Sequence, residues 1–326
     1  MIKGICILLV VVAHTVTFDM LPSVLSRICD AIFLNSFFMV SGHLARKEED
    51  VNGKCFSRIA GKFYSLLIPY IVYSLLTIFW HIIICVGFHN TYVSDTYTGW
   101  QIVRRDLFCM VSGIGIGTLW FLPVLFVSFS ICLLVAEAAK RLPLPGYVLI
   151  GCSAFAFGLV GFFLQDMHIA ADTLPGIIGD KYLYTFYRIC NAAMYTLTGY
   201  LWHELWYRYR TSGRHRIYLI LCSVAACACI TYASPYKTIF AVCTTAAFVM
   251  ATCLIFTNSN ALTRPLLFLG RNSLAVMIYH YNFLYPIERP YFTGWCLFAV
   301  NLITSVLMLL FFSRFRWHYF FLGKKK

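Results

Sequence analysis

"KGICILLVVVAHTVTF", Lys3 to Phe18, is an almost unbroken apolar stretch with a cation at one end and an imidazole, His14, deep inside. Read as a helix, it is a membrane segment, and the rest of the chain agrees. Of 326 residues, 60% are hydrophobic and 12% charged, and the mean hydropathy is +0.76. A soluble domain is about half apolar and a quarter charged. The composition therefore describes a polytopic membrane protein. The first apolar run opens almost at Met1, and no small-x-small cleavage pattern follows it. An uncleaved first span is expected rather than a signal peptide.

A membrane-crossing helix needs about 20 mainly apolar residues. Ten such runs can be marked, near 2–18, 28–44, 64–88, 118–137, 146–164, 184–203, 217–233, 237–256, 273–287 and 294–313. No gap between them is long enough to fold a soluble domain. The expected fold class is an all-α integral membrane bundle of about ten transmembrane helices, forming a single domain over residues 1–326. With the N-terminus placed inside, 19 of the 26 Lys and Arg residues collect on the inner side and every inner loop contributes. The positive-inside rule then puts both termini in the cytoplasm. It also accounts for the net charge of +13, which in a soluble protein would point to nucleic acid; no nucleic-acid partner is expected. Most of the 14 cysteines lie within apolar runs such as "LCSVAACACI" and lack zinc-ligand spacing. They read as small apolar fillers of helix interfaces, and no metal site is expected.

Ionisable groups inside a membrane are costly, so each is a functional hypothesis. Lys3 and His14 are eleven residues apart, about three full helical turns, so they share one face with a rise of roughly 16 Å between them. A cation at the cytoplasmic mouth suits an anionic ligand. A buried neutral imidazole suits proton abstraction from a hydroxyl. The plain alternative is that Lys3 snorkels to the interface while His14 bonds a neighbouring helix. In "NSFFMVSGHLARK", Ser41 and Gly42 would let two helices approach closely. "GIGIGTLWFLPVLF", Gly113 to Phe126, could offer backbone N–H groups to an anion or simply begin a helix flexibly; it is not a P-loop. "LGRNSLAVMIYH", Leu269 to His280, puts Ser273 and His280 on one face. Arg104 and Arg105 precede Asp106, where a surface ion pair is the plain reading. The outer loops also hold Asp95, Asp166, Asp172 and Asp180 among aromatic residues, a mixture that suits sugar contact but also an interfacial aromatic belt. No Ser-His-Asp set or dinucleotide fingerprint is present.

Taken in order, "KGICILLVVVAH", "FFMVSG", "FYSLLIPY", "GTLWFLPVLF" and "LGRNSLAVMIYH" resemble the motifs of the membrane-bound acyltransferase family 3, bacterial O-acyltransferases of envelope and exported polysaccharide sugars. The resemblance covers almost the whole chain, and its most telling element, a basic residue and a histidine with ten residues between them, falls on Lys3 and His14. It implies an acyl-CoA donor, usually acetyl-CoA, on the cytoplasmic side and no permanently bound cofactor. It implies a hydroxyl of a glycan or lipid-linked sugar as acceptor, a multi-pass location in the bacterial cytoplasmic (inner) membrane, and contact with membrane lipid. His14 would be catalytic, as general base or brief acyl relay. Lys3 would hold the donor. Relatives often carry a basic residue just before the "LLIPY" run; Ser65 stands there instead, and Arg58 and Lys62 upstream are the substitutes. Ser41, Trp120, Arg104, Arg105, Ser273 and His280 are expected on the cavity or acceptor side. With no further domain expected after the last helix, the membrane part would complete the transfer. The rival class is a polytopic transporter or flippase for a glycan or lipid intermediate, which also needs buried polar residues and broken helices.

Overall fold

Apolar runs of bilayer length become helices because lipid offers the backbone no hydrogen-bond partner other than itself. The computed structural model describes residues 1–16, 21–49, 55–94, 97–165, 167, 174–209, 244–249, 252, 263–315 and 321–322, and among these there is no strand. The expected runs at 217–233 and most of 237–256 lie outside the described residues. The helices are α1 (Ile2–Thr15), α2 (Ser23–Ile32), α3 (Asn35–Glu49), α4 (Cys55–Lys62), α5 (Ile68–His81), α6 (Trp100–Val111), α7 (Phe121–Arg141), α8 (Gly146–Gln165), α9 (Leu174–Tyr209), α10 (Thr263–Arg271), α11 (Ser273–Ile278), α12 (Tyr285–Glu288) and α13 (Gly294–Phe312). Wider π-helical segments at Phe63–Leu67, Ile82–Gly87 and Tyr279–Leu284 join or extend some of them.

Five stretches among the described residues are long and apolar enough to cross a membrane: Leu25–Glu48, Cys55–Gly87, Gly117–Arg141, Gly146–Gln165 and Gly294–Phe312. α1 is apolar but has 14 residues, about 21 Å of helix. The expected run at 184–203 sits inside the 36-residue α9. The run at 273–287 is not one span but α11, a π-helical turn and α12 in succession.

The chain divides into two compact units. The first comprises Met1–Cys6, Leu21–Ile59 and Val127–Arg271. In it, α3 and α9 meet almost backbone to backbone. A Cβ on Gly42 would fall on the Thr196 carbonyl, and one on Gly199 would fall on the Met39 carbonyl. Small residues allow this approach where lipid supplies no hydrophobic drive. The expected role of the Ser41–Gly42 pair is thus met at Gly42, while Ser41 Oγ donates to Phe37 O of its own helix at 2.7 Å. Beside this seam, Ala45, Phe129, Cys132, Leu133, Ala136, Ile150, Leu197 and Tyr200 form a buried cluster. Cys132 fills space there, as the cysteine reading anticipated. The described cysteines are free thiols.

The second unit comprises Ile7–Met20, Ala60–Phe126 and Asn272–Lys326. Its helices are tied by polar groups. Tyr70 Oη on α5 donates to Met110 O on α6 at 2.8 Å. Trp80 Nε1 donates to Phe283 O at 3.2 Å, and Asn90 Nδ2 donates to Pro286 O at 3.0 Å.

The close α3–α9 seam makes a direct prediction. Gly199→Val should destabilise the protein by about 3 kcal/mol or more, at or beyond the upper end of ordinary overpacking, because the new side chain meets backbone rather than a movable side chain. Gly61→Ala, where an added Cβ meets nothing within 4 Å, should leave stability unchanged or slightly improved. Thermal unfolding of both variants in detergent checks the difference.

Candidate active site

The site starts from a glycine-rich loop. Gly115 and Gly117 adopt φ of +88° and +52°, a region only glycine enters freely. At Gly115 a Cβ would also run into the Trp120 backbone. The loop folds back so that Gly115 N donates to Cys109 O at 2.9 Å, and Leu119 N donates to Ile116 O at 2.9 Å. Thr118 N donates to Asn282 Oδ1 at 3.3 Å. These three N–H groups are spent inside the protein, where they close the loop into a tight turn.

Asn282, in the π-helical turn, is buried and fully used. Its Oδ1 also accepts from Thr118 Oγ1 at 2.8 Å, and its Nδ2 donates to Ile116 O at 3.2 Å and Thr77 Oγ1 at 3.3 Å. One carboxamide thus joins α5, the glycine loop and the π-helical turn. Asn301 on α13 plays a matching part from another side. Its Nδ2 lies 2.9 Å from His280 O and 2.8 Å from Glu288 Oε2, while Thr304 Oγ1 donates to Glu288 Oε1 at 2.6 Å.

Two histidines from distant runs meet on this frame. The His14 ring, in the last turn of α1, lies 5.4 Å from the His280 ring and 4.4 Å from the Tyr281 ring. His280 is 0% exposed. Its Nδ1 is 3.0 Å from Val276 O, a carbonyl that can only accept, so the proton belongs on Nδ1 and Nε2 carries a lone pair. That Nε2 is buried without a hydrogen-bond partner. A buried polar atom left unpaired costs roughly 1–3 kcal/mol, and in a native protein such an atom asks for a reason.

Next to this pair is a cavity of about 140 Å³ whose lining includes His81, Arg105, Asp106, Tyr281, Asn282 and Tyr285. Asp106 is 1% exposed. Its Oδ2 lies 2.5 Å from His81 Nδ1, and its Oδ1 accepts from Arg105 Nε at 2.9 Å and Nη2 at 2.7 Å. The Arg105–Asp106 pair is therefore a buried one, not the surface pair that the sequence suggests. α5 covers the carboxylate and supplies His81 as a further partner.

The other expected residues are distributed as follows. Lys3 is half-buried near the start of α1, where Gly4 packs so tightly on α10 that a Cβ would fall on the Leu266 carbonyl. Arg58 and Lys62 lie one turn apart on α4, and Arg58 Nη2 donates to the Ala45 carbonyl. Trp120 packs edge-on against Phe121 with ring centroids 6.2 Å apart, and is not part of the cavity wall. Arg104 is exposed and also off the wall. Ser273 opens α11, and among the described residues no hydrogen bond joins it to His280. Asp95, Asp166 and Asp172 lie outside the described residues. The sequence reading passed over His81, Asn282, Glu288 and Asn301. The rule that singles out His14 would have found His81, a histidine inside the apolar run "LLTIFWHIIICV".

Fold and site together define a class: a multi-pass membrane protein, helical throughout its described residues, with a buried histidine packed against a half-buried one. The family profile described as "Acyltransferase domain" matches residues 1–315. The chain belongs to acyltransferase family 3, and it is a membrane acyltransferase. No curated protein and no solved structure matches it.

Replacing Asn282 tests the frame. Asn282→Leu strands Ile116 O and Thr118 N in a buried place and should cost on the order of 2–4 kcal/mol. Asn90→Ala, which removes a part-buried bond to Pro286 O and an exposed one from Tyr92 N, should cost less, about 1 kcal/mol. Melting temperatures of the two purified variants check the contrast.

Proposed function

We propose that the chain is an O-acyltransferase that moves an acyl group, acetyl in the first instance, from acyl-CoA to a hydroxyl of an envelope or exported polysaccharide sugar. The observation that carries this reading within the family is the contact of His14 with His280, whose Nε2 is buried and unpaired. His14 takes the proton of the acceptor hydroxyl. The oxygen attacks the thioester carbonyl, a C–O bond forms, the C–S bond breaks, and the proton passes on to the departing CoA thiolate. The alternative course, a short-lived acyl group on His14 itself, uses the same contacts. His280 holds the imidazole of His14 and offers Nε2 to a proton on it. A positioned general base contributes about 10²–10⁴ in rate.

Lys3, Arg58 and Lys62 are the cations we assign to the phosphates of the donor. Placing them on the cytoplasmic side follows from the positive-inside distribution, which also supports cytoplasmic termini; the apolar runs of the sequence support about ten spans, and the family resemblance supports a place in the bacterial cytoplasmic membrane.

The test is direct. Protein purified in detergent is incubated with radiolabelled acetyl-CoA, and CoA release is followed for wild type, His14→Ala and His280→Ala. His14→Ala should lower release at least 100-fold, and His280→Ala should lower it less, with the acetyl-CoA KM unchanged. Equal release by wild type and His14→Ala would sink the base assignment. Absence of turnover with acetyl-, succinyl- and longer acyl-CoA, in a folded sample, would favour a transporter.

A further inference from the structure

Within the second unit, the cavity beside His81 holds groups that the transfer step described above does not use. Asp106 can only accept hydrogen bonds, so the proton between it and His81 sits on His81 Nδ1. In the neutral ring this fixes Nε2 as an acceptor, the same second-contact logic by which carboxylates orient catalytic and metal-binding histidines. Arg105 balances the Asp106 charge through two bonds to Oδ1. The trio therefore fixes the orientation of the His81 ring in the cavity wall, and a hydroxyl, which both donates and accepts, can pair with its Nε2.

Shape points the same way. The cavity, about 140 Å³, is near the roughly 150 Å³ that encloses a benzene ring, and because it is partly open it can receive one hydroxylated ring without enclosing it. One wall is aromatic. Tyr281 and Tyr285 are stacked, with centroids 5.4 Å apart and planes 19° from parallel. Arg289 lies over the rings of Tyr285 and Tyr92, at 5.6 and 5.9 Å, and steadies that wall. Tyr281 also touches the His14 ring, so an occupant of the cavity sits against the side chain that borders the proposed base.

We propose that this cavity is the seat of a single pyranose-sized ring of the acceptor, with Tyr281 and Tyr285 beside it and His81 Nε2, held by Asp106 and Arg105, hydrogen-bonded to one of its hydroxyls. His81 is on this view a positioning residue for the acceptor and not the base. The inference rests on the reading of the chain as a transferase to a sugar hydroxyl, but it can be tested without turnover.

Full-length protein in a sugar-free detergent is titrated with methyl α-D-glucopyranoside, methyl N-acetyl-β-D-glucosaminide and, as a ring without hydroxyls, tetrahydropyran, with binding read by saturation-transfer NMR. At least one methyl pyranoside should bind saturably, more tightly than tetrahydropyran. His81→Phe and Asp106→Asn should weaken it at least tenfold. Should those variants not fold, Tyr285→Ala, at the half-buried wall, should weaken it at least fivefold. In the transfer assay His81→Phe should raise the acceptor KM and leave the acetyl-CoA KM unchanged. Failure of both pyranosides to bind wild type, or equal binding by wild type and Tyr285→Ala, would overturn the proposal. Acyl-CoA turnover without pyranoside binding would remove this site and leave the acyltransferase reading intact. Pyranoside binding without any acyl-CoA turnover would do the reverse.

Discussion

The second unit depends on one constraint: backbone groups released from helical bonding inside lipid must find partners within the protein. A glycine loop and a π-helical turn both release such groups. The Asn282 carboxamide meets the need at Ile116 O and Thr118 N and reaches Thr77 on α5 as well. Each such bond contributes modestly, about 0.6–2 kcal/mol between membrane helices. The larger effect lies in what its loss would strand, since an unpaired buried group costs more than a made bond contributes. The carboxamide is therefore better seen as a condition for the loop and the turn to coexist than as a sum of bonds.

The π-helical turn then explains the density of the site. Single π turns recur at functional places in helices. Here five successive residues each reach a neighbour outside the turn. Tyr279 meets Tyr73 at 3.4 Å between hydroxyls. His280 meets His14. Tyr281 touches His14 and walls the cavity. Asn282 ties the glycine loop, and Phe283 offers its carbonyl to Trp80. The first unit works by a different rule. Its α3–α9 seam is closed by absent side chains, at Gly42 and Gly199, and not by polar bonds.

What was legible in the sequence follows from this difference. Helices, small-residue seams and buried cysteines are written in composition and spacing, so the runs at 146–164 and 294–313 correspond closely to α8 and α13. His14 stood out because an imidazole in an apolar run has no local excuse. The π-helical turn did not, since nothing in "IYHYNFLY" marks a change of period, and the run at 273–287 read as one helix. The fate of Asp106 was hidden for another reason. Next to two arginines it looks like a surface residue, and only the packing of α5 over α6 shows it to be buried and bound to a histidine 25 positions away. The glycines of "GIGIG" signalled a special backbone correctly, but whether their N–H groups are free or spent is a matter of tertiary contact.

The last step concerns why His280 faces His14 with only one atom uncommitted. Its Nδ1 is tied to Val276 O within its own helix. Its backbone carbonyl is held by Asn301, whose Nδ2 is shared with the buried Glu288 carboxylate. Glu288 in turn is held by neutral donors from α13, Asn301 and Thr304, which anchor it without bringing a second charge into the helices. Rotation of the ring is thus fixed from one side and translation of its backbone from the other. Nε2 is what remains, and it lies in the ring that packs on His14. A histidine kept only for packing would need neither restraint, and an apolar side chain of similar size would spare the cost of the unpaired nitrogen. That lone pair is what the proposed role of His14 as base would call on, since a proton taken up by the neighbouring ring needs an acceptor close by.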